Sequence, residues 1–282
     1  MFDPQSPVFQ AAIAPFVLSL ILVGALFLLA GERYKRALAV CGAGAAVLVA
    51  YWLAFSWPAF PPRAASQKLA YLIALSTFLS LVLGSRALPG RIAAALPYIA
   101  VLLGLAWIAE PRINQGDFAG IALIAVIAMA GLYALGRRDD EPVDAGVAVL
   151  VFAFALAGIA FFAPSVSIAQ LAGAIAAATG GYLLWTWPKR RLDFSVVGIM
   201  ALATPLIWLA AQASLYSRAS DAALGIAAAI ALAPPLRAAI VRRQTLTTDT
   251  LRPIWTGMIA AAIGGAALAV ASFNQTGASG YG

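Results

Sequence analysis

Two adjacent prolines and a cation interrupt a long apolar run near the end of the chain: Pro234, Pro235 and Arg237. Proline lacks a backbone N–H and its ring clashes with the preceding turn, so we expect the carbonyls near Ile230 and Ala231 to lose their helical partners. In a membrane such carbonyls must be satisfied by neighbouring helices or water, and broken helices often bind solutes in transporters. The guanidinium could contact an anionic solute there, or it could extend to the membrane surface.

Further prolines break two other apolar runs. Pro97 is followed by Tyr98 in the fourth run, and Thr204 precedes Pro205 in the eighth. These breaks could line the same cavity as the double proline, although ordinary helix curvature is the alternative interpretation. The predicted solute site therefore consists of Pro97, Tyr98, Thr204, Pro205, Pro234, Pro235 and Arg237.

Acidic residues cluster once, in the segment from Asp139 to Asp144. Carboxylates so close together can hold a hard divalent cation through oxygen ligands. Arg137 and Arg138 precede them directly and dilute the negative charge, and acids at the start of a helix also stabilise its N-terminus. We therefore expect a solvated turn here and no metal site.

The segment from Ser56 to Lys68 is rich in proline and aromatic residues and contains two cations, Arg63 and Lys68. Aromatic side chains of this kind anchor loops at the membrane interface. The cations also allow a second interpretation, a docking surface for a partner protein or a lipid headgroup.

Residues for catalysis or cofactor binding are scarce. The chain has no histidine and one cysteine, Cys41, so disulfides, histidine-ligated haem and histidine-based zinc sites are excluded. No Asp, Glu or Lys lies near the middle of an apolar run, which argues against a carboxylate proton relay, an aspartyl protease or a retinal Schiff base. Gln170 and Gln212 are embedded amides, which we expect to form hydrogen bonds between helices. We predict no catalytic residue, metal or cofactor.

Composition defines the broad class of protein. Of the 282 residues 63% are hydrophobic and 10% charged, and the mean hydropathy is +0.93. Soluble domains are about a quarter charged, so this chain is a membrane protein. Its net charge of +7 comes from basic residues in short segments between apolar runs. This distribution is typical of topology signals, and we expect no nucleic-acid partner.

Ten apolar runs have about the 20 residues needed to cross a bilayer. They predict an all-α integral membrane protein with spans at roughly 9–30, 37–59, 69–87, 91–109, 118–136, 143–163, 166–187, 194–216, 221–241 and 253–273. Small residues allow close helix packing in lipid. We therefore expect the glycine-rich second, seventh, ninth and tenth spans to be buried and the third to face lipid.

The basic residues also predict orientation. Placing the loops that follow odd-numbered spans inside the cell collects 14 of the 18 Lys and Arg residues there. By the positive-inside rule both termini should then be periplasmic, in a multi-pass protein of the bacterial inner membrane.

Weak sequence echoes divide the chain into two halves. Trp57-Pro58 recurs as Trp187-Pro188, and Pro97 in span four corresponds to Pro234 in span nine. Two five-helix halves, 1–138 and 139–274, would be related by an inverted repeat, followed by a flexible tail at 275–282.

Three functions fit this sequence. The first is a small permease or exporter that binds an uncharged or anionic solute at broken spans four and nine. The second is a non-catalytic structural or accessory subunit of a larger membrane complex. The third, an enzyme acting on lipid-linked substrates, has no nucleophile or base, so we expect no enzyme. The expected partners are membrane lipids and either a second copy of the chain or other subunits.

Overall fold

The computed structural model describes residues 6–31, 34–85, 88–136, 142–188, 192–241 and 251–278. This part of the chain contains ten helices long and apolar enough to cross a membrane. They are α1 (Phe9–Leu29), α2 (Lys35–Phe55), α3 (Ala65–Gly84), α4 (Gly90–Ile113), α5 (Phe118–Gly136), α6 (Pro142–Phe162), α7 (Val166–Thr186), α8 (Val196–Tyr216), α9 (Asp221–Ile240) and α10 (Arg252–Ala278). The expected all-helical, multi-pass architecture is confirmed.

Two names describe the ends of this helical bundle. The Trp57 end carries the loops that follow α2, α4, α6 and α8, and the Trp187 end carries those that follow the odd-numbered helices. The inverted repeat, the two-half division and the side of the membrane on which the termini lie stay predictions. The tail beyond 278 and most of the acidic cluster, 139–141, lie outside the described residues.

The centre of the bundle is built by close approach of α1 to α2 and α7. A Cβ added at Gly42 of α2 would lie 2.9 Å from the backbone nitrogen of Val23 in α1. One added at Gly181 of α7 would lie 2.8 Å from the backbone oxygen of Phe16. Ser19 of α1 donates a hydrogen bond of 2.7 Å to the Ala178 carbonyl. Small residues therefore hold three helices at backbone contact distance, as packing in lipid requires.

Burial differs from the sequence-based expectation in three helices. For each helix we compare the buried share of an apolar stretch of 18 residues. This share is highest in α8, at 78%, whereas it is 28% in the glycine-rich α10. The third helix is 44% buried, the same as α9, so the prediction that it faces lipid is wrong. Large apolar side chains pack equally well against lipid and against protein. The content of such side chains therefore does not distinguish a central helix from a peripheral one.

Proline accompanies a local change of hydrogen-bonding pattern in α1, α8 and α9. In α1 a π-turn, Phe9–Ile13, precedes Pro15. In α8 a π-turn, Ile199–Ala203, precedes Pro205, and the backbone N–H of Thr204 donates to the Ile199 carbonyl. In α9 the double proline follows a 3₁₀ segment, Ala229–Leu232. Such turns shift donors by one residue and re-pair carbonyls that the proline would leave free.

One expected consequence of the double proline is wrong. The Ile230 carbonyl is not orphaned, because the backbone N–H of Ala233 donates to it. The tighter 3₁₀ turn brings this donor, the last before Pro234, within reach of a carbonyl three residues back. The 3₁₀ turn therefore pairs the Ile230 carbonyl, whereas the residues three and four positions after Ala231 are Pro234 and Pro235, which have no N–H to donate to its carbonyl.

Candidate functional site

A cavity of about 430 Å³ lies between α5, α6, α8 and α9. One face of α5 lines it over nearly its whole length, from Gly120 through Ile124, Ile127 and Gly131 to Leu135. This spacing of three and four residues places those positions on one side of a helix, over about 22 Å at 1.5 Å per residue. The cavity is therefore elongated along the bundle, and its walls are almost entirely apolar.

The mouth of the cavity, at the Trp57 end, is polar. It is formed by Arg112, Asp117, Ser214 and Asp221. The carboxylate of Asp117 lies 4.0 Å from the guanidinium of Arg112, and both side chains are 42% exposed. Ser214 donates a hydrogen bond of 2.8 Å to Asp221. Two carboxylates and one guanidinium at an accessible opening can orient the polar end of a solute.

Local sequence explains why these charges stand at the mouth. Ser220 caps α9, since its hydroxyl accepts a hydrogen bond from the Ala223 backbone N–H, and Asp221 lies in the first turn. A carboxylate there is stabilised by the positive end of the helix dipole. Arg112, in the last turn of α4, donates 2.8 Å to the Leu215 carbonyl and so ties α4 to the end of α8.

The two broken helices meet the cavity at its deeper part. Ala203, the last residue of the π-turn in α8, and Ala231, within the 3₁₀ segment of α9, both line it. A Cβ added at Gly131 of α5 would lie 3.7 Å from the Ala231 side chain, so α5 and α9 come close together here. Irregular backbone therefore borders the cavity at mid-depth, where it can serve as a hinge.

An ion pair lies between this cavity and the Trp187 end. The guanidinium of Arg237 in α9 is 3.0 Å from the carboxylate of Asp144 in α6, and the two side chains are only 2% and 3% exposed. The expectation that Arg237 extends to the membrane surface is wrong, as is that of a solvated Asp144. Packing of α6 against α9 holds the two charges at the same depth, and their attraction offsets part of the cost of removing them from water.

The seven predicted site residues fall into two groups. Pro97 and Tyr98 of α4 and Thr204 and Pro205 of α8 belong to two helices that pack on each other, and between these helices the Trp208 indole N–H donates 3.2 Å to the Val101 carbonyl. The double proline and Arg237 belong instead to the part of α9 that packs on α5, α6 and α10. None of the seven lines the cavity, and a role for them in binding a solute stays a prediction.

Sequence reasoning missed the cavity itself. A signal existed in α5, where Gly120, Ala128 and Gly131 place small residues along one face. The expected hydrogen bond between helices is not found for the side-chain oxygen of Gln212. This oxygen is buried without a hydrogen-bond partner among the described residues. Within the same residues no three His, Cys, Asp or Glu side chains come together as a metal site.

The fold and the cavity are those of a polytopic membrane protein. Comparison of the chain with protein-family models, curated proteins and solved structures gives no match. The cavity, its charged mouth and the ion pair beyond it are the features from which a function can be argued.

Proposed function

We propose that this chain is a permease or exporter of a small solute, and that the cavity between α5, α6, α8 and α9 is its binding site. The observation that carries the proposal is an asymmetry along the bundle axis. Accessible charges, Arg112, Asp117 and Asp221, stand at the mouth near the Trp57 end. The fully buried pair of Asp144 and Arg237 lies towards the opposite end. An accessible mouth at one end and a buried ion pair at the other are the arrangement expected of a carrier in a conformation open to one side.

The lining supports a solute with an apolar body and one polar end. Ile124, Ile127, Leu206 and Phe152 present hydrocarbon, and the polar groups are confined to the mouth. An apolar portion would displace poorly satisfied water from the walls, while the polar end keeps hydrogen bonds at the opening. A strongly hydrated ion finds no ligands in the deeper part, so it is a poor candidate.

The two breaks suggest how access could alternate. Rotation of the part of α9 that follows the 3₁₀ segment Ala229–Leu232, on the side of the Trp187 end, would move Arg237 away from Asp144. The π-turn Ile199–Ala203 in α8 borders the same depth and can absorb a matching shift. Separation of the ion pair opens the Trp187 end, and its re-formation closes that end again.

A second function, an accessory subunit of a membrane complex, is favoured by one observation on α5. Only 11% of its apolar window is buried, the lowest value among the ten helices described. A neighbouring subunit could cover its exposed Leu123 and Val126. Purification in mild detergent separates the two proposals, since an accessory subunit leaves the membrane with other chains and a carrier runs alone or as a homodimer.

Cavity filling tests the transport proposal. Gly225 lines the cavity, and a Cβ added there meets no atom within 4 Å, so Gly225→Phe should fold and occupy solute space. Gly265 of α10 also has no atom within 4 Å and lies outside the cavity, so Gly265→Phe is the matched control.

The readout is metabolite profiling of a deletion strain complemented by each variant. We expect wild type and the control to restore the profile and Gly225→Phe to leave the solute accumulated or excluded, at equal protein abundance. Full complementation by Gly225→Phe contradicts the proposal.

A further inference from the structure

A second concavity lies at the Trp57 end, between the loop that joins α2 to α3 and the last turns of α4. Its volume is about 470 Å³, and it shares no lining residue with the central cavity. We call it the Lys68 cleft. The residues that matter to its chemistry are Phe60, Arg63, Lys68, Trp107, Glu110 and Asn114.

Lys68 is the buried cation of this cleft. It lies in the first turn of α3 with its side chain 7% exposed, and its Nζ forms a 2.8 Å ion pair with Glu110 of α4. It also donates 2.7 Å to the Trp107 carbonyl. That carbonyl is free to accept because the residue four positions later is Pro111, which has no N–H. These two hydrogen bonds use two of the three donors of the ammonium, and the centroid of the Trp107 ring lies 5.6 Å from Nζ.

Other donors converge on the same cleft. The guanidinium of Arg63 and the side-chain amide of Asn114 line it, and neither forms a hydrogen bond with any residue that the structure describes. Two cations against the single carboxylate of Glu110 give the lining a charge of about +1. Several unused donors with one excess positive charge suit a singly charged oxyanion, and a phosphodiester has that charge and that set of acceptors.

The surroundings of the cleft favour a lipid as the source of the phosphodiester. Phe60 at its edge is 84% exposed, and Trp57 beside it is 57% exposed, as aromatic side chains are at the headgroup level of a membrane. Below the cleft, Leu75 lies seven residues after Lys68 on the same face of α3, and it is exposed. Leu103 lies seven residues before Glu110 on the same face of α4, and it too is exposed. An acyl chain could lie against these apolar side chains.

We propose that the Lys68 cleft binds the headgroup of an anionic glycerophospholipid. Lys68, Arg63 and Asn114 donate to the phosphate oxygens, and the exposed carboxylate of Glu110 accepts from a headgroup hydroxyl. Basic pockets at the membrane interface recognise anionic lipids in this way. The site is independent of the transport proposal, and it tethers the loop before α3 to the bilayer.

Lipid binding by the purified full-length chain tests this site. The chain in mild detergent is titrated with phosphatidylglycerol or phosphatidylcholine, and bound lipid is counted by native mass spectrometry. The variant is Arg63→Ala with Asn114→Ala, because both side chains are exposed and their loss spares the buried Lys68. Arg91→Ala, an exposed cation at the Trp187 end, is the control for loss of general charge.

We expect phosphatidylglycerol to bind more tightly than phosphatidylcholine and the double variant to weaken its binding by about tenfold, or about 1.4 kcal/mol. The control should bind as wild type does. Equal affinity for the two lipids, or an equal loss in Arg91→Ala, overturns the proposal. Displacement of the lipid by soluble glycerophosphate at similar concentration would assign the site to a free phosphate ester and overturn the assignment to a lipid.

Discussion

Asp144 and Arg237 form an ion pair of 3.0 Å in which both side chains are almost completely removed from solvent. The first belongs to the opening turn of α6, and the second follows the double proline of α9. Charges at this depth are costly and persist where they are paired. The pair therefore fixes the position of the lower part of α9 against α6.

Removing one partner should be more harmful than removing both. Arg237→Met leaves a buried carboxylate and Asp144→Asn a buried guanidinium, so each should destabilise the protein by about 3–5 kcal/mol. The double variant removes both buried charges and should unfold at a higher temperature than either single variant. Thermal unfolding in detergent measures this, with the half-exposed Asp117→Asn as a control that should cost less than about 1 kcal/mol. Additive losses in the double variant would contradict the pairing.

The contact of α4 with α8 depends on a missing side chain. A Cβ at Gly104 would overlap the indole of Trp208, which is fully buried. Gly104→Ala should therefore destabilise the protein by about 1–3 kcal/mol through overpacking. Gly90→Ala, in the same helix with no atom within 4 Å, should be neutral or slightly stabilising. Partial recovery by Trp208→Phe is expected, and equal stability of the two glycine variants would contradict the contact.

The positions of the spans could be predicted from the sequence because bilayer thickness fixes the length of each apolar run. The run predicted at 221–241 is the helix Asp221–Ile240, and the run at 118–136 is Phe118–Gly136. The length of an apolar run reflects the thickness of the bilayer, which is the same for every span. It therefore says where a helix begins and ends, and little about its neighbours.

The partners of each helix could not be predicted for the same reason. From the sequence, only the depth of Arg237 along its span can be estimated. That depth predicts a side chain that extends to the membrane surface. Its carboxylate partner lies three helices earlier in the chain. The cavity likewise depends on four helices that come together only in the fold. The sequence shows the prolines Pro205 and Pro234, which do not line the cavity, and gives no sign that Ala203 and Ala231 beside them do.

The π-turn of α8 should depend on Thr204. Its hydroxyl donates 3.2 Å to the Ile199 carbonyl at a fully buried position. Thr204→Val removes that donor with little change of shape and should cost about 1 kcal/mol. Ser272→Ala removes a comparable bond to the Ala269 carbonyl at the exposed surface of α10 and should cost less. Thermal unfolding of both variants provides the comparison, and equal losses would mean that Thr204 does not support the turn.

The predicted orientation has its own test. On a Cys41→Ala background, a membrane-impermeant thiol reagent applied to intact cells should label Ser279→Cys and spare Thr247→Cys, since the positive-inside rule places the termini outside. Labelling of Thr247→Cys alone would show that the orientation is the reverse of the predicted one. The cavity and the ion pair would be unaffected, because their description refers only to the two ends of the bundle.

Sided labelling of the cavity tests the central claim most directly. On the Cys41→Ala background, Ala231→Cys places a thiol on the cavity wall beside the hinge of α9, and the exposed Ala59→Cys marks the Trp57 side. Ala260→Cys, fully buried in α10 outside the cavity, is the unreactive control. We predict that a small charged thiol reagent in vesicles reaches Ala231→Cys from the side that labels Ala59→Cys. Adding Asp144→Asn should open access from the opposite side as well. Failure to label Ala231→Cys from the Trp57 side, or access from the opposite side with the ion pair intact, would contradict the account.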